Sequence, residues 1–179
     1  GVAYFLLLMT TGSAVFIACY TAWLFHQCHG RPFWMKRLLG LSLILHAFLA
    51  GCAGVLIIDQ VMVLFGLRAW GLDVGSISFV RLGFVGSLIA HLLLMLGEKY
   101  LAPKHREVEY HRAAKLITHG PFAKRHWGIS IIMGVVLPLT FVLSSLVLSS
   151  AGSSMLMIAA GIFALAGLLN EEKYFQSYN

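Results

Sequence analysis

The 179-residue chain reads as an all-α, polytopic integral membrane protein, a helical bundle of about five transmembrane helices. Three observations predict this. Hydrophobic residues make up 59% of the chain and charged residues only 11%, against about 25% charged in an ordinary soluble domain. Apolar runs of roughly 18 residues or more recur, each long enough to cross the hydrocarbon layer as a helix. The ~10-residue alternating segments of a membrane β-barrel do not appear. Backbone amides in lipid must bond within the protein, so runs of this kind fold as helices.

Five spans follow in order, forming one membrane domain over 1–179. The first, 2–25, carries "VAYFLLLMTTGSAVFIACYTAWLF" and ends in aromatic residues suited to a membrane interface. The second, 38–58, contains "LLGLSLILHAFLAGCAGVLII" and is closed by Asp59. The third, 77–97, holds Arg81 near its start and His91 near its end, with Glu98 directly after it. The fourth, 128–150, follows the basic segment "KLITHGPFAKRHWG". Pro138 within it is expected to kink the helix and free the carbonyl of Gly134. The fifth, 153–170, gives way to "NEEKYFQSYN". Gly51, Gly54, Gly83 and Gly86 are expected to let helices approach closely. Both ends look cut: the chain opens on Gly1 almost inside a helix, with no basic n-region or cleavage site, and stops soon after the last span.

The net charge of +6 speaks of topology rather than nucleic acid. Ten of the thirteen Lys and Arg residues lie in two connections: Arg31, Lys36 and Arg37, then Lys99, Lys104, Arg106, Arg112, Lys115, Lys124 and Arg125. With five spans these connections share one membrane face, here face X. The opposite face, Y, holds Arg68 and Arg81, offset by Asp59 and Asp73. The positive-inside rule makes face X cytoplasmic. Cys19, Cys28 and Cys52 show no C-x-x-C spacing, so no iron–sulfur cluster, structural zinc or other metal site is expected in this chain. Cys19 and Cys52 read as small packed hydrophobes.

Ionisable residues within a bilayer are costly, which makes each a functional candidate. His46 lies in the second span; His91 and Glu98 lie seven residues apart, two helical turns, on one face of the third. Tyr20, Glu98 and Trp127 fall near face X, with His26, His29 and His119 in its connections. A phenol, imidazoles and a carboxylate near one surface suit the two-electron, two-proton chemistry of a quinone. A second reading uses the same histidines as ligands of a b-type haem held between His46 and His91. A third makes the chain a structural or transport subunit, although no inverted repeat with broken helices is visible.

The segment "ITHGPFAKRHWGISIIMGVVLPLTF" resembles the penultimate helix of the NrfD/polysulfide-reductase membrane-subunit family. "ACYTAWLFHQCHGRPFW" resembles that family's Y-T-[GA]-x-L helix and its continuation, "HLLLMLGEKY" its Glu-terminated helix, and "AGLLNEEKYFQSYN" its last helix. The aromatic pair is His126-Trp127 rather than Phe-Trp, and the ending Ser177-Tyr178-Asn179 departs from the family's usual Ala-Gly-Gln. The resemblance covers the last five of about eight helices, so the chain is expected to be a fragment of an eight-or-more-helix subunit.

That resemblance implies a haem-free membrane anchor. It would pass electrons between a ferredoxin-like iron–sulfur partner subunit and a membrane menaquinone or ubiquinone, with a molybdopterin or multihaem subunit in the same respiratory oxidoreductase complex. It implies a multi-pass protein of a bacterial or archaeal cytoplasmic membrane, with proton translocation in some members. By the match to the Y-T-[GA] helix, Tyr20 is the quinone-binding candidate. His91 and Glu98 are the proton-relay candidates, and His46, Asp59 and Arg81 the candidates for a longer proton path. The family's quinone pocket lies near the partner-docking face, commonly periplasmic. The basic residues of face X are therefore either topology determinants or a docking surface.

Overall fold

The computed structural model describes residues 38–67, 74–97, 119–120, 123–148 and 150–177, with 5, 9, 12–13, 16–17, 19–21, 23–24, 108, 111–112 and 115. Helix α1 is Leu39–Leu64 and α2 is Val74–Gly97. A single turn, Ala123–Arg125, leads into a π-helix, π1, over His126–Val136. It continues directly as α3, Leu137–Ser145, and α4 is Ser150–Ser177. The fold is all-α, and among the described residues four helices are long and apolar enough to cross a membrane: Leu39–Leu64, Gly75–Gly97, His126–Ser145 and Ala151–Glu171. They correspond to the second to fifth expected spans. The described residues of the first span, from Phe5 to Leu24, are helical as well.

Helix α4 is the centre of the arrangement. It packs against α1 on one side and against π1 and α3 on the other, while α2 packs on α1. The core is formed by Leu49 and Leu56 of α1, Phe84 and Leu88 of α2, Val135 of π1, and Met157, Ala160 and Ala164 of α4. Large apolar side chains also point outwards: Phe79 is 77% exposed and Leu82 is 70% exposed. In water such a surface would drive aggregation, but a helix that is apolar all round is the expected form of a membrane span.

Each helix buries one stripe at spacings of three and four residues, the signature of a helical face. In α1 it runs through Ser42, Leu49, Cys52, Leu56 and Asp59; in α2 through Ile77, Phe84, Leu88, His91 and Met95. Along π1 and α3 it falls on every fourth residue, through His126, Ser130, Gly134, Pro138 and Val142. The π-helix closes i→i+5 bonds, so a turn takes up more than four residues and fourth neighbours nearly align. Pro138 stands near the start of α3, where the winding changes from π to α. There it removes one backbone donor from a continuous helix, at the point where the bonding pattern shifts.

The second span runs longer than expected. Asp59 does not close α1, which continues to Leu64. The reason is local: Gln60 Nε2 donates to Asp59 Oδ2 at 2.8 Å, and both residues are buried. The carboxylate is thus partnered within the helix, and the apolar "VMVL" carries the pattern on. The helix ends at Gly66, whose φ of +73° is open to glycine. Leu67 N–H reaches back to the Met62 carbonyl at 2.8 Å and Gly66 N–H to that of Val63 at 3.1 Å. This is the Schellman arrangement, which satisfies carbonyls left over at a helix end.

The closest helix contacts fall on glycines other than those expected. Gly134 of π1 and Gly167 of α4 touch backbone to backbone: a Cβ on Gly134 would lie 2.7 Å from the Gly167 Cα. Gly161 similarly faces α1, where a Cβ would meet Ile57 Cγ1 at 2.7 Å. Among the described residues nothing lies within 4 Å of a Cβ at Gly51, Gly54 or Gly86, while Gly83 faces Phe48 at 3.2 Å. Small residues at a crossing let backbones approach and gain dispersion contacts, the main attraction between helices in lipid. Cys52 is buried as a small hydrophobe, whereas Cys19 is exposed.

Candidate functional site

Three helices bring polar side chains to one place. His46 comes from α1, His91 from α2 and Glu171 from α4. His91 Nε2 lies 3.1 Å from Glu171 Oε2, and His46 Nε2 lies 4.0 Å from the same oxygen. The two imidazoles meet edge to face, with ring centroids 4.8 Å apart and planes at 79°. His91 and Glu171 are buried, while the His46 side chain keeps 23% of its surface. His91 Nδ1 has no hydrogen-bond partner among the described residues.

The buried stripes explain the meeting. His91 continues the α2 stripe, three residues beyond Leu88. Glu171 continues the stripe of α4, which runs Ser154, Met157, Ala160, Ala164, Gly167 and Glu171. The small residues along that stripe draw α4 against its neighbours, so the next inward position is also enclosed. A second polar contact adjoins it: Asn170 Nδ2 donates to Ser130 Oγ at 3.1 Å, joining α4 to π1. His126, the first residue of π1, is also buried.

The site lies towards one end of the bundle. His46 is seven residues after the start of α1, and His91 and Glu171 are each six residues before the end of their helices. At 1.5 Å per residue these offsets are about 9–10 Å. All three ends adjoin face X, the face of the basic connections, and so does the start of π1. The cluster therefore lies within two helical turns of the helix ends at face X, and Glu171 is the last residue of the apolar span Ala151–Glu171.

Of the residues expected at the site, His46 and His91 come together directly. The carboxylate they meet is Glu171, one residue beyond the expected last span. Glu98 lies outside the described residues. Asp59 and Arg81 sit in the other half of the α1–α2 pair; Asp59 is buried beside Gln60, and the Arg81 Nε is buried without a hydrogen-bond partner among the described residues. Tyr20 is 51% exposed and pairs with Trp23, ring centroids 6.1 Å apart. In the basic segment, Lys115, His119 and Lys124 are exposed, but His126 turns inwards and stacks at 79° against Trp127. Its two histidines therefore divide, His119 facing out and His126 joining the interior.

The pair His46–His91 does not fit a haem. Axial ligands of one iron stand on opposite faces of the macrocycle, whereas these rings touch edge to face and share one carboxylate oxygen. What the cluster offers is a carboxylate between two imidazoles. Groups of these types are able to carry and pass protons.

The profile of a protein family described as "Polysulphide reductase, NrfD" matches residues 2–175, nearly the whole chain. No curated protein and no solved structure matches.

Proposed function

The chain belongs to the polysulphide reductase NrfD family, and we propose that it is the quinone-reactive membrane subunit of a respiratory oxidoreductase in a bacterial or archaeal cytoplasmic membrane. A ferredoxin-like iron–sulfur subunit is its electron partner, accompanied by a molybdopterin or multihaem subunit. Reduction of a quinone to its quinol consumes two electrons and two protons, and the partner supplies the electrons. This chain supplies the binding groups and the proton route.

The observation that carries this reading is the buried 3.1 Å contact between His91 and Glu171. Glu171 Oε2 and His91 Nε2 stand 3.1 Å apart as an ion-pair contact, so a proton held on either group has only a short distance to cross. His46, on the same oxygen and partly exposed, connects that proton to the surface. Asp59 and Arg81, on the inward stripes of α1 and α2, extend the route towards face Y. Tyr20 donates its phenol to the quinone head group from the first helix, and Glu98 adds a carboxylate where the third span meets face X. Menaquinone and ubiquinone both present the carbonyl oxygens such a donor needs.

The test uses the complete complex. Tyr20→Phe removes one donor and should raise the KM for quinone, with kcat less affected. Glu171→Gln keeps the shape but removes the titratable group; general acid–base losses of about 100-fold or more in turnover are typical. Glu98→Gln is measured beside it. Unchanged quinone turnover in all three variants overturns the reading.

A further inference from the structure

We propose that His46, His91 and Glu171 form a binding site for one divalent metal ion of the zinc class. Each residue offers one donor atom, and the donors all lie within 4.8 Å of one another. They come from three different helices, α1, α2 and α4, so an ion here would be held by the bundle and not by a loop. Tetrahedral zinc with bonds of about 2.0–2.2 Å places its ligand atoms roughly 3.3–3.6 Å apart. The His91–Glu171 separation of 3.1 Å is near that spacing, and the His46–Glu171 separation of 4.0 Å needs only a small side-chain rotation.

The donor chemistry selects the class of ion. Two imidazole nitrogens and one carboxylate oxygen, with no thiolate, suit borderline first-row dications over magnesium or calcium, which prefer oxygen alone. Zinc tolerates an irregular shell because its filled d shell imposes no geometry. Three protein ligands leave a fourth position for water. The single carboxylate offsets part of the charge brought into the apolar layer, and the site's place about 9–10 Å from the helix ends keeps entry from face X short. The Asn170–Ser130 hydrogen bond fixes α4 against π1 one residue from the Glu171 ligand, the kind of outer support that orients metal ligands.

A bound ion takes the same His91 and Glu171 atoms as the shared proton, so the metal-loaded form has that proton route closed; occupancy is measured directly and separately from quinone turnover. The full chain, purified in lipid nanodiscs, is dialysed against zinc and separately against cobalt. One zinc per chain is expected, and a cobalt form with visible d–d absorption. His46→Ala, His91→Ala and Glu171→Gln should each weaken binding about tenfold or more, while His119→Ala, at an exposed position, leaves it unchanged. Absence of tight zinc binding overturns the proposal, as does binding that survives all three variants and is lost with His119→Ala. Should an alanine variant fail to assemble, X-ray absorption on the zinc-loaded wild type decides. A shell of two imidazoles and oxygen at about 2.0–2.1 Å supports the site; a shell without imidazole overturns it.

Discussion

His91 Nε2 and Glu171 Oε2 stand 3.1 Å apart although eighty residues separate them in the chain. A carboxylate of the last helix thereby meets an imidazole of the second described one, both buried between helices. Removing one member of such a pair leaves a polar group enclosed without its counterpart, and its desolvation is then uncompensated. Replacing both by apolar groups of similar size removes the problem.

A double-mutant cycle measures this directly. Glu171→Leu and His91→Leu should each lower the unfolding free energy in micelles by about 3 kcal/mol, the cost of breaking a buried pair. The double variant should lose clearly less than the sum, with a coupling of about 1–3 kcal/mol. Additive losses would mean that the two side chains do not stabilise one another.

The helix crossing at Gly134 and Gly167 gives a second prediction. A methyl group on Gly167 meets the Gly134 backbone, which cannot rotate out of the way as a side chain would. Gly167→Ala should cost about 1–3 kcal/mol through overpacking, read as a lower Tm. Gly86→Ala, which meets nothing within 4 Å among the described residues, should gain about 0.5–1 kcal/mol from helix propensity. A Gly167→Ala variant as stable as wild type would show that the helices separate freely there.

The Ser130–Asn170 hydrogen bond should contribute little energy. Interhelical hydrogen bonds in membranes average about 0.6 kcal/mol. Ser130→Ala is therefore expected to lower stability by about that amount, measured by thermal unfolding. A loss several times larger would place Ser130 in a wider polar network.

The touching rings of His46 and His91 make a spectroscopic prediction. The purified chain should show no Soret band, and adding haem to the His46→Ala variant and to wild type should give identical spectra. A Soret band in wild type that disappears with His46→Ala or His91→Ala would restore the haem reading.

Much of the architecture was legible because lipid simplifies the reading: a long apolar run has only helix open to it. His46 and His91 stood out for the same reason, as polar residues where polarity is costly. Glu171 does not stand out in the sequence, because it is the first charge after an apolar run, where a carboxylate ordinarily faces water. Its burial was still written in the pattern, since Ser154, Met157, Ala160, Ala164 and Gly167 lead to it at steps of three and four. The close crossings were misplaced for a different reason. Glycines abound in every span, and which of them meet depends on how α4 lies against α1 and π1, a property of the packed bundle that no single helix carries. The π winding of His126–Val136 was likewise hidden, for hydropathy looks alike in both windings.

That winding has a consequence for angular phase. An α-helix turns about 100° per residue, and a helix with more than four residues per turn advances by less than 90°. Over the eleven residues of π1 the difference accumulates to roughly half a revolution. Held in the π form, His126 and Pro138 look the same way, into the bundle. Rewound as α-helix from the same Pro138 anchor, the segment would turn His126 away from its buried place in the bundle. The pitch of one stretch of backbone thus decides which side chains count as interior at face X.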